Sequence, residues 1–170
     1  MALSGTLLAV SAHAELTQAL DLGTGKAAQT LSRKMALASG TGAGKADKVF
    51  SDRRTIAASS SEDLDLAGVL LDAFGAAITF ARIKGLIVAA AAGNTNSVVV
   101  GAAAETPWAT LLSSTGTVTL RPGAFVAVGT GAADATGYAV TASTGDLLKV
   151  ANSSSGTSVT YDIHIIGASA

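Results

Sequence analysis

The stretch Val159-Thr-Tyr-Asp-Ile-His-Ile-Ile166 alternates apolar and polar side chains over its first seven residues. Successive side chains of a β-strand point to opposite faces of the sheet, so this pattern places the apolar residues on one face. The pattern therefore predicts a strand with one buried face. The opposite face, which carries Asp162 and His164, is expected to meet water or a neighbouring chain.

Short apolar runs of the same kind recur upstream, from Thr55 onward, and turn residues separate them every 8–12 positions. The clearest turns are Gly93-Asn-Thr-Asn96, Arg121-Pro-Gly123 and Ser143-Thr-Gly145. Roughly eight to ten strands fit after residue 50. This spacing predicts a mainly β protein, an antiparallel β-sandwich with either jelly-roll or immunoglobulin-like connectivity.

Two local features qualify this picture. Gly85, between two apolar runs, is expected to mark a bulge or bend. The segment from Leu66 to Phe74 has helix-spaced apolar residues, but Asp72-Ala-Phe-Gly75 favours a turn there instead.

The predicted core consists of large apolar residues in the buried phase of these runs. They are Leu64, Leu66, Ile78, Phe80, Val98, Val100, Leu120, Phe125, Val150, Tyr161, Ile163 and Ile165.

Residues 1–50 differ from the rest and are predicted to form an extended N-terminal arm or subdomain, with residues 51–170 forming the sandwich domain. Two pieces of mixed polarity, Glu15–Leu22 and Gln29–Leu37, lie on either side of a Gly-Thr-Gly sequence. Their pattern does not distinguish strands from short helical turns. The glycine-rich segment 39–44 follows and is expected to be a flexible connection.

Composition excludes several classes of function. Charged residues make up 14% of the chain, against roughly 25% in an average soluble domain, so part of the surface is expected to meet protein rather than water. The net charge is −1 without a basic cluster, which argues against nucleic-acid binding. No uncharged apolar run of 18 residues is present, which argues against a membrane-spanning helix.

No motif points to catalysis or to a bound cofactor. Ser39-Gly-Thr-Gly-Ala-Gly-Lys-Ala46 resembles a phosphate-binding loop, but Ser39 replaces the first glycine and Ala46 replaces the hydroxyl residue that would bind magnesium. The only histidines, His13 and His164, lack the spacing of metal ligands. We therefore expect a protein that is not an enzyme and carries no cofactor or metal.

Four residues are candidates for contacts with neighbouring chains. Arg53 and Arg54 are expected to form ion pairs across an interface rather than bind a ligand. Trp108, the only tryptophan, is expected either in the core or at an interface rim. His164 on the polar strand face is a candidate for a pH-sensitive subunit contact.

Several segments resemble small virion proteins of tailed bacteriophages. They are Ala46-Asp-Lys-Val-Phe-Ser-Asp-Arg-Arg-Thr-Ile-Ala-Ala-Ser59, Glu62-Asp-Leu-Asp-Leu-Ala-Gly68, Asp146-Leu-Leu-Lys-Val-Ala-Asn152 and Thr160-Tyr-Asp-Ile-His-Ile-Ile-Gly167. The likeness spans about residues 15–167 and its motifs are structural. Head decoration, or cement, proteins of phages are often β-sandwich trimers with extended arms, so the resemblance implies that setting.

We therefore expect a capsid decoration subunit that stabilises the phage head by bridging neighbouring subunits. Its expected partners are further copies in a homotrimer and the major capsid protein or other virion proteins, in a particle assembled in the host cytoplasm. The alternatives are a tail, collar or fibre component of the virion, or a receptor- or glycan-binding module. A glycan-binding module is expected to depend on Trp108.

Overall fold

The fold, given by a computed structural model that describes residues 3–170, is mainly β, as predicted. Met1 and Ala2, part of the predicted arm, lie outside the described residues. The strands are β1 Thr6–Leu20, β2 Gly23–Ser39, β3 Lys45–Ala46, β4 Lys48–Ile56, β5 Ser61–Asp65, β6 Arg82–Ala90, β7 Val98–Gly101, β8 Thr117–Leu120, β9 Phe125–Gly129, β10 Tyr138–Ala139, β11 Leu147–Asn152 and β12 Val159–Ala168. One short helix, α1, spans Ala109–Leu112. Within residues 3–170, no helix is long and apolar enough to cross a membrane.

Two antiparallel sheets share one core. The five-stranded sheet has the order β10-β6-β12-β4, with β9 also paired to β6, and the four-stranded sheet has the order β5-β11-β7-β8. Buried residues of both sheets belong to a single hydrophobic cluster. The predicted strand at residues 159–166 is confirmed as part of β12. This strand lies inside the larger sheet, where it pairs with β4 on one side and β6 on the other. Its alternate apolar residues from Val159 to Ile165 face the core, where the register aligns Ile163 and Ile165 with Phe50, Leu86 and Val88. Ile166 lies on the opposite face of the strand.

All predicted core residues except Phe125 are buried. The prediction that Phe125 lies in the core is wrong, since its side chain is 62% exposed. The run Ala124-Phe-Val-Ala-Val128 is apolar at every position, so alternation does not choose the buried face. In the structure Phe125 pairs with Ala89, and the neighbouring Val126 packs against the core instead.

The expected bulge lies beside Gly85. The pairing of β12 with β6 is continuous from Tyr161–Ala90 to Ile166–Gly85 and then shifts, so that Gly167 pairs with Ile83. Lys84 has no partner on β12 in this register and is fully buried.

The segment from Leu66 to Ile78 forms turns rather than a helix, as the sequence favoured. Asp72 closes the turn, because its Oδ1 accepts hydrogen bonds of 2.9 Å from the amides of Phe74 and Ala76. The regular strand β6 begins at Arg82, and residues 77–81 contain only the isolated pairing of Ala77 with Leu71.

Strands β1 and β2 form one long antiparallel hairpin, here called the hairpin, which settles the open question for the pieces at 15–22 and 29–37 in favour of strands. Fifteen consecutive residue pairs run from Thr6–Leu37 to Leu20–Gly23 without a bulge. From Ala9 to Lys34 every residue of the two strands is exposed except the half-buried Gly25. The predicted boundary between residues 50 and 51 falls inside β4, which belongs to the five-stranded sheet.

The hairpin contacts the five-stranded sheet only near its base. Leu8, Met35 and Leu37 form a second buried cluster with Ala46 and with Ile166 of β12. A Cβ atom at Gly85 would lie 3.0 Å from the Leu8 Cδ1 atom, so the absence of a side chain at Gly85 makes this close approach possible. This contact is on the side of the sheet that faces away from the main core.

Candidate functional site

The outer face of the five-stranded sheet is the first candidate for contacts with another molecule. Alternation and register place two rows of side chains across its four long strands, β9, β6, β12 and β4. We define the outer sheet face by these rows, which are Phe125, Ala89, Asp162 and Arg53, and Ala127, Ile87, His164 and Ser51. A third row, of Gly129, Gly85, Ile166 and Val49, lies next to them and receives the base of the hairpin.

One half of the outer sheet face is apolar and the other half is polar. The β9 and β6 side contributes the exposed Phe125 ring with the half-buried Ile87 and two alanines. On the β4 and β12 side, Arg53 forms a two-pronged ion pair with Asp162, with Nε–Oδ1 2.6 Å and Nη2–Oδ2 2.9 Å. This ion pair lowers the pKa of the Asp162 carboxyl. The face therefore suits a partner whose contacting surface is apolar and carries few charges.

His164 lies between these halves, next to Ile87 on β6 and Ser51 on β4 in the register. The side chain is half-buried, and this burial lowers the pKa of the imidazole. The neutral form is therefore favoured on this face, which suits contact with an apolar surface.

Two of the four predicted interface residues, Arg53 and His164, thus lie together on the outer sheet face. Both arginines have acidic partners within the chain, and the expected ion pairs with a neighbouring subunit stay a prediction. Arg53 pairs with Asp162 through Nε and Nη2, and its side chain stays 74% exposed. Arg54 points to the opposite side of β4, because adjacent strand residues alternate.

Arg54 belongs to a polar network that joins the two sheets. Its Nε donates to Glu62 Oε2 at 2.7 Å and its Nη1 donates to Asp52 Oδ2 at 2.9 Å. The hydroxyl of Tyr161 on β12 donates to Glu62 Oε1 at 3.0 Å. Glu62 lies on β5 in the four-stranded sheet, so the network links that sheet to β4 and β12. Hydrogen bonding to Glu62 raises the pKa of Arg54, and burial raises that of Tyr161.

Trp108 lies in the core and away from the outer sheet face, which corrects the alternative of an interface rim. Its side chain is only 4% exposed and its ring packs edge-on against Tyr138, with ring centroids 6.3 Å apart. The indole Nε1 donates to the Ala139 carbonyl at 2.9 Å. A neighbouring chain or a glycan could reach this ring only after the surrounding residues moved.

The hairpin provides a second surface, which sequence reasoning missed. The side chains that continue outward from Leu8 and Met35 form one face of the ribbon, here called the apolar hairpin face. It consists of Val10, Ala12, Ala14, Leu16 and Leu20 on β1 with Leu31 and Ala27 on β2, interrupted by Gln18, Gln29 and Arg33. Leu16 and Leu31 are 66% and 56% exposed, and no described part of the chain covers them.

The opposite face of the hairpin is polar, and its side chains bind one another. His13 Nδ1 lies 3.0 Å from Thr30 Oγ1, and Lys26 Nζ donates to Glu15 Oε1 at 3.0 Å. The alternation from Val10 to Thr17 was the available signal for this division. It was easily missed, because two of the apolar positions are alanines, whose small side chains mark a buried face only weakly.

The glycine-rich loop at 39–46 is closed on itself and offers no phosphate cradle. The amides of Ala38, Gly40 and Lys45 donate to carbonyls of Gly44, Ala46 and Gly42. Gly42 also accepts a 2.6 Å hydrogen bond from the buried Lys84 Nζ, and burial lowers the pKa of that lysine. Among residues 3–170, no three His, Asp or Glu side chains are grouped so that they could hold a metal ion.

Comparison with protein-family models, with curated proteins and with solved structures finds no match to this chain.

Proposed function

We propose that this protein is a structural subunit of a tailed-bacteriophage virion, of the head-decoration type, and that it acts by binding neighbours rather than by catalysis. In this proposal the two sheets form a β-sandwich and the hairpin is the extended arm. The phage setting rests on the sequence resemblance described above. The binding role rests on the apolar hairpin face and the outer sheet face.

The apolar hairpin face is the observation that carries the proposal. From Ala9 to Leu20 the ribbon extends about 40 Å, at roughly 3.4 Å per residue. A two-stranded hairpin of this kind is marginally stable in water unless its apolar side is covered. Burying one exposed leucine fully stabilises a contact by about 1.5–3 kcal/mol. Leu16, Leu20 and Leu31 are all exposed on this face, which favours a protein whose hairpin is covered by a neighbouring molecule.

The apolar hairpin face and the outer sheet face also suit a passive mechanism, in which the protein stabilises the capsid only by binding to it. A subunit that lays an arm on one neighbour and receives contacts on its own body must break several contacts before it dissociates. A ligand that binds only the assembled form stabilises that form by mass action. Decoration subunits bound across capsid joints would stabilise the head in this way.

Particles with and without the protein test the proposal. We expect purified particles that lack it to lose resistance to heat and to low salt, and added wild-type protein to restore that resistance. Protein with Leu16→Asp and Leu31→Asp should not restore it, because both changes place charge on the apolar hairpin face. The matched control carries Thr17→Asp and Ser32→Asp, on the polar face of the same two strands, and should restore resistance fully.

Two outcomes would contradict this proposal. Absence of the protein from purified particles would remove the virion setting. Unchanged resistance of particles that lack it would remove the cement role. Copies located at one vertex or along the tail, rather than over the head faces, would favour the tail, collar or fibre alternative. The glycan-binding alternative has less support, because Trp108 is buried.

A further inference from the structure

Two apolar surfaces of this chain lack a covering element: the apolar hairpin face, and the β9 and β6 half of the outer sheet face. The first exposes Leu16 and Leu31, and the second exposes Phe125 beside Ile87. Exposed apolar surfaces of this extent commonly mark interaction sites. Each surface therefore needs a partner, and one occupant would account for both.

The chain itself shows which surface the hairpin packs on. At its base, Leu8 and Met35 of the apolar hairpin face lie on Gly85 and Gly129 of the outer side of the five-stranded sheet. The row that receives them continues directly into the two rows of the outer sheet face. The chain thus already packs its hairpin on the outer side of this sheet. In the adjoining rows, the β9 and β6 half has the same apolar and small-residue character.

Ile87 packs against the cluster at the hairpin base, but the rest of the hairpin does not reach those rows in its own chain. Its strands are paired in unbroken register from Thr6–Leu37 to Leu20–Gly23, with no bulge at which the ribbon could bend sharply. All side chains from Ala9 to Leu20 are exposed, so this part extends away from the sheet. The outer sheet face of the same molecule therefore stays open while its hairpin points elsewhere.

We infer that the apolar hairpin face of one copy lies on the outer sheet face of a second copy of this chain. The contact extends the base packing outward from Gly85 and Gly129 to Ala89 and Ala127. These alanines allow close approach of the ribbon, and Phe125 supplies apolar area at the rim. The inference deepens the proposed function and rests on it, since it names the neighbour that the arm binds.

Engineered cysteines test the contact directly, because the natural chain contains none. Ala89→Cys is combined in turn with cysteine at Val10, Ala14, Leu16 and Leu31, which samples the length of the apolar hairpin face. We expect at least one pair to form a disulfide between copies under mild oxidation, seen as a ladder on a non-reducing gel. The control pair of Ala89→Cys with Thr17→Cys, on the polar hairpin face, should give at least tenfold less product.

Two results of the cysteine experiment would overturn the inference. The first is that no hairpin position cross-links to Ala89→Cys above the control. The second is that Leu16→Cys alone cross-links as well as any pair, because the hairpins of two copies would then pack on each other.

Complementation between two defective variants provides a second test that does not depend on cysteine geometry. Leu16→Asp with Leu31→Asp damages the donor surface, and Phe125→Asp damages the receiving surface. All three positions are exposed, and far-ultraviolet circular dichroism and Trp108 fluorescence check that the variants fold. Light scattering should show that each variant dissociates at a concentration at least tenfold higher than the wild type. Mixing them should give a one-to-one dimer, since the Phe125→Asp copy still donates an intact hairpin to an intact sheet face.

The inferred contact is contradicted if Phe125→Asp self-associates like the wild type, or if the mixture of the two variants forms no dimer. The two proposals can fail separately. A wild-type protein that stays monomeric while its hairpin variants lose binding to particles would overturn self-docking and leave the virion role standing. Self-association as expected, in a protein absent from particles, would overturn the virion role and leave self-docking standing.

Discussion

Leu8 of the hairpin lies so close to Gly85 of strand β6 that a Cβ atom on Gly85 would be 3.0 Å from the Leu8 Cδ1 atom. The same Cβ would lie 3.3 Å from the Met35 Cε atom. The hairpin base is therefore fitted to a residue without a side chain, and the position of the whole hairpin depends on this fit.

The first prediction follows from this contact. Gly85→Val should lower the free energy of unfolding by about 1–3 kcal/mol, because overpacking forces Leu8 and Met35 out of place. Urea unfolding followed by Trp108 fluorescence measures the loss. Gly129→Val is the matched control and should cost less, since a Cβ there would lie 3.4 Å from Leu8 Cδ2, an ordinary contact. Equal losses in both variants would show that the hairpin base does not depend on the approach to Gly85.

The second prediction compares two adjacent arginines. Arg54→Ala should lower the free energy of unfolding by about 1–2 kcal/mol, because it leaves Glu62 without its charged partner between the sheets. Arg53→Ala should have a much smaller effect, since its ion pair with Asp162 is exposed to solvent and screened. Urea denaturation of both variants in one buffer checks the order. A larger loss for Arg53→Ala would contradict the described network.

The third prediction concerns pH. Burial lowers the pKa of His164 below the unfolded value of 6.5, so the unfolded chain binds a proton more readily than the folded chain. The His164 contribution to the free energy of unfolding should therefore be constant above about pH 7.5 and fall as the pH drops below the unfolded pKa. His164→Gln removes this contribution.

The difference between wild type and His164→Gln isolates the imidazole from other titrating groups. Asp162 and Arg53 are the charged residues in the defined rows of the same face, and both are unchanged in the variant. Thermal unfolding of the two proteins at several pH values between about 5 and 8 measures the difference. A difference that does not vary with pH would contradict the prediction.

The fourth prediction separates a structural tryptophan from a ligand-binding one. Trp108→Phe should lower the free energy of unfolding by about 1–3 kcal/mol, because the hydrogen bond to the Ala139 carbonyl and part of the packing are lost. Circular dichroism in urea measures this change. Loss of polysaccharide binding without any loss of stability would instead support a glycan-binding role for this residue.

Strand β12 was predictable because, from Val159 to Ile165, large apolar residues occupy only one of its two phases. Phe125 was not, since Ala124 to Val128 is apolar in both phases and the pairing with Ala89 decides which face is buried. The outer sheet face could not be predicted in the same way, because it depends on which strands pair. Arg53 meets Asp162 across 109 residues of sequence, and a single sequence does not reveal which strands become neighbours. The resemblance to virion proteins predicts a setting, which stays a proposal, and names no contact.

The unbroken pairing of β1 with β2 makes the hairpin sensitive to the parity of length changes. One residue inserted after Ala9 would turn the outer part of β1 over, so that Leu16 and Leu20 would move to the polar side of the ribbon and His13 and Glu15 to the apolar side. Two inserted residues would return them to their original side. Natural variants of this segment should therefore gain or lose residues in even numbers, or at the Asp21-Leu22 tip, where no pairing is disturbed.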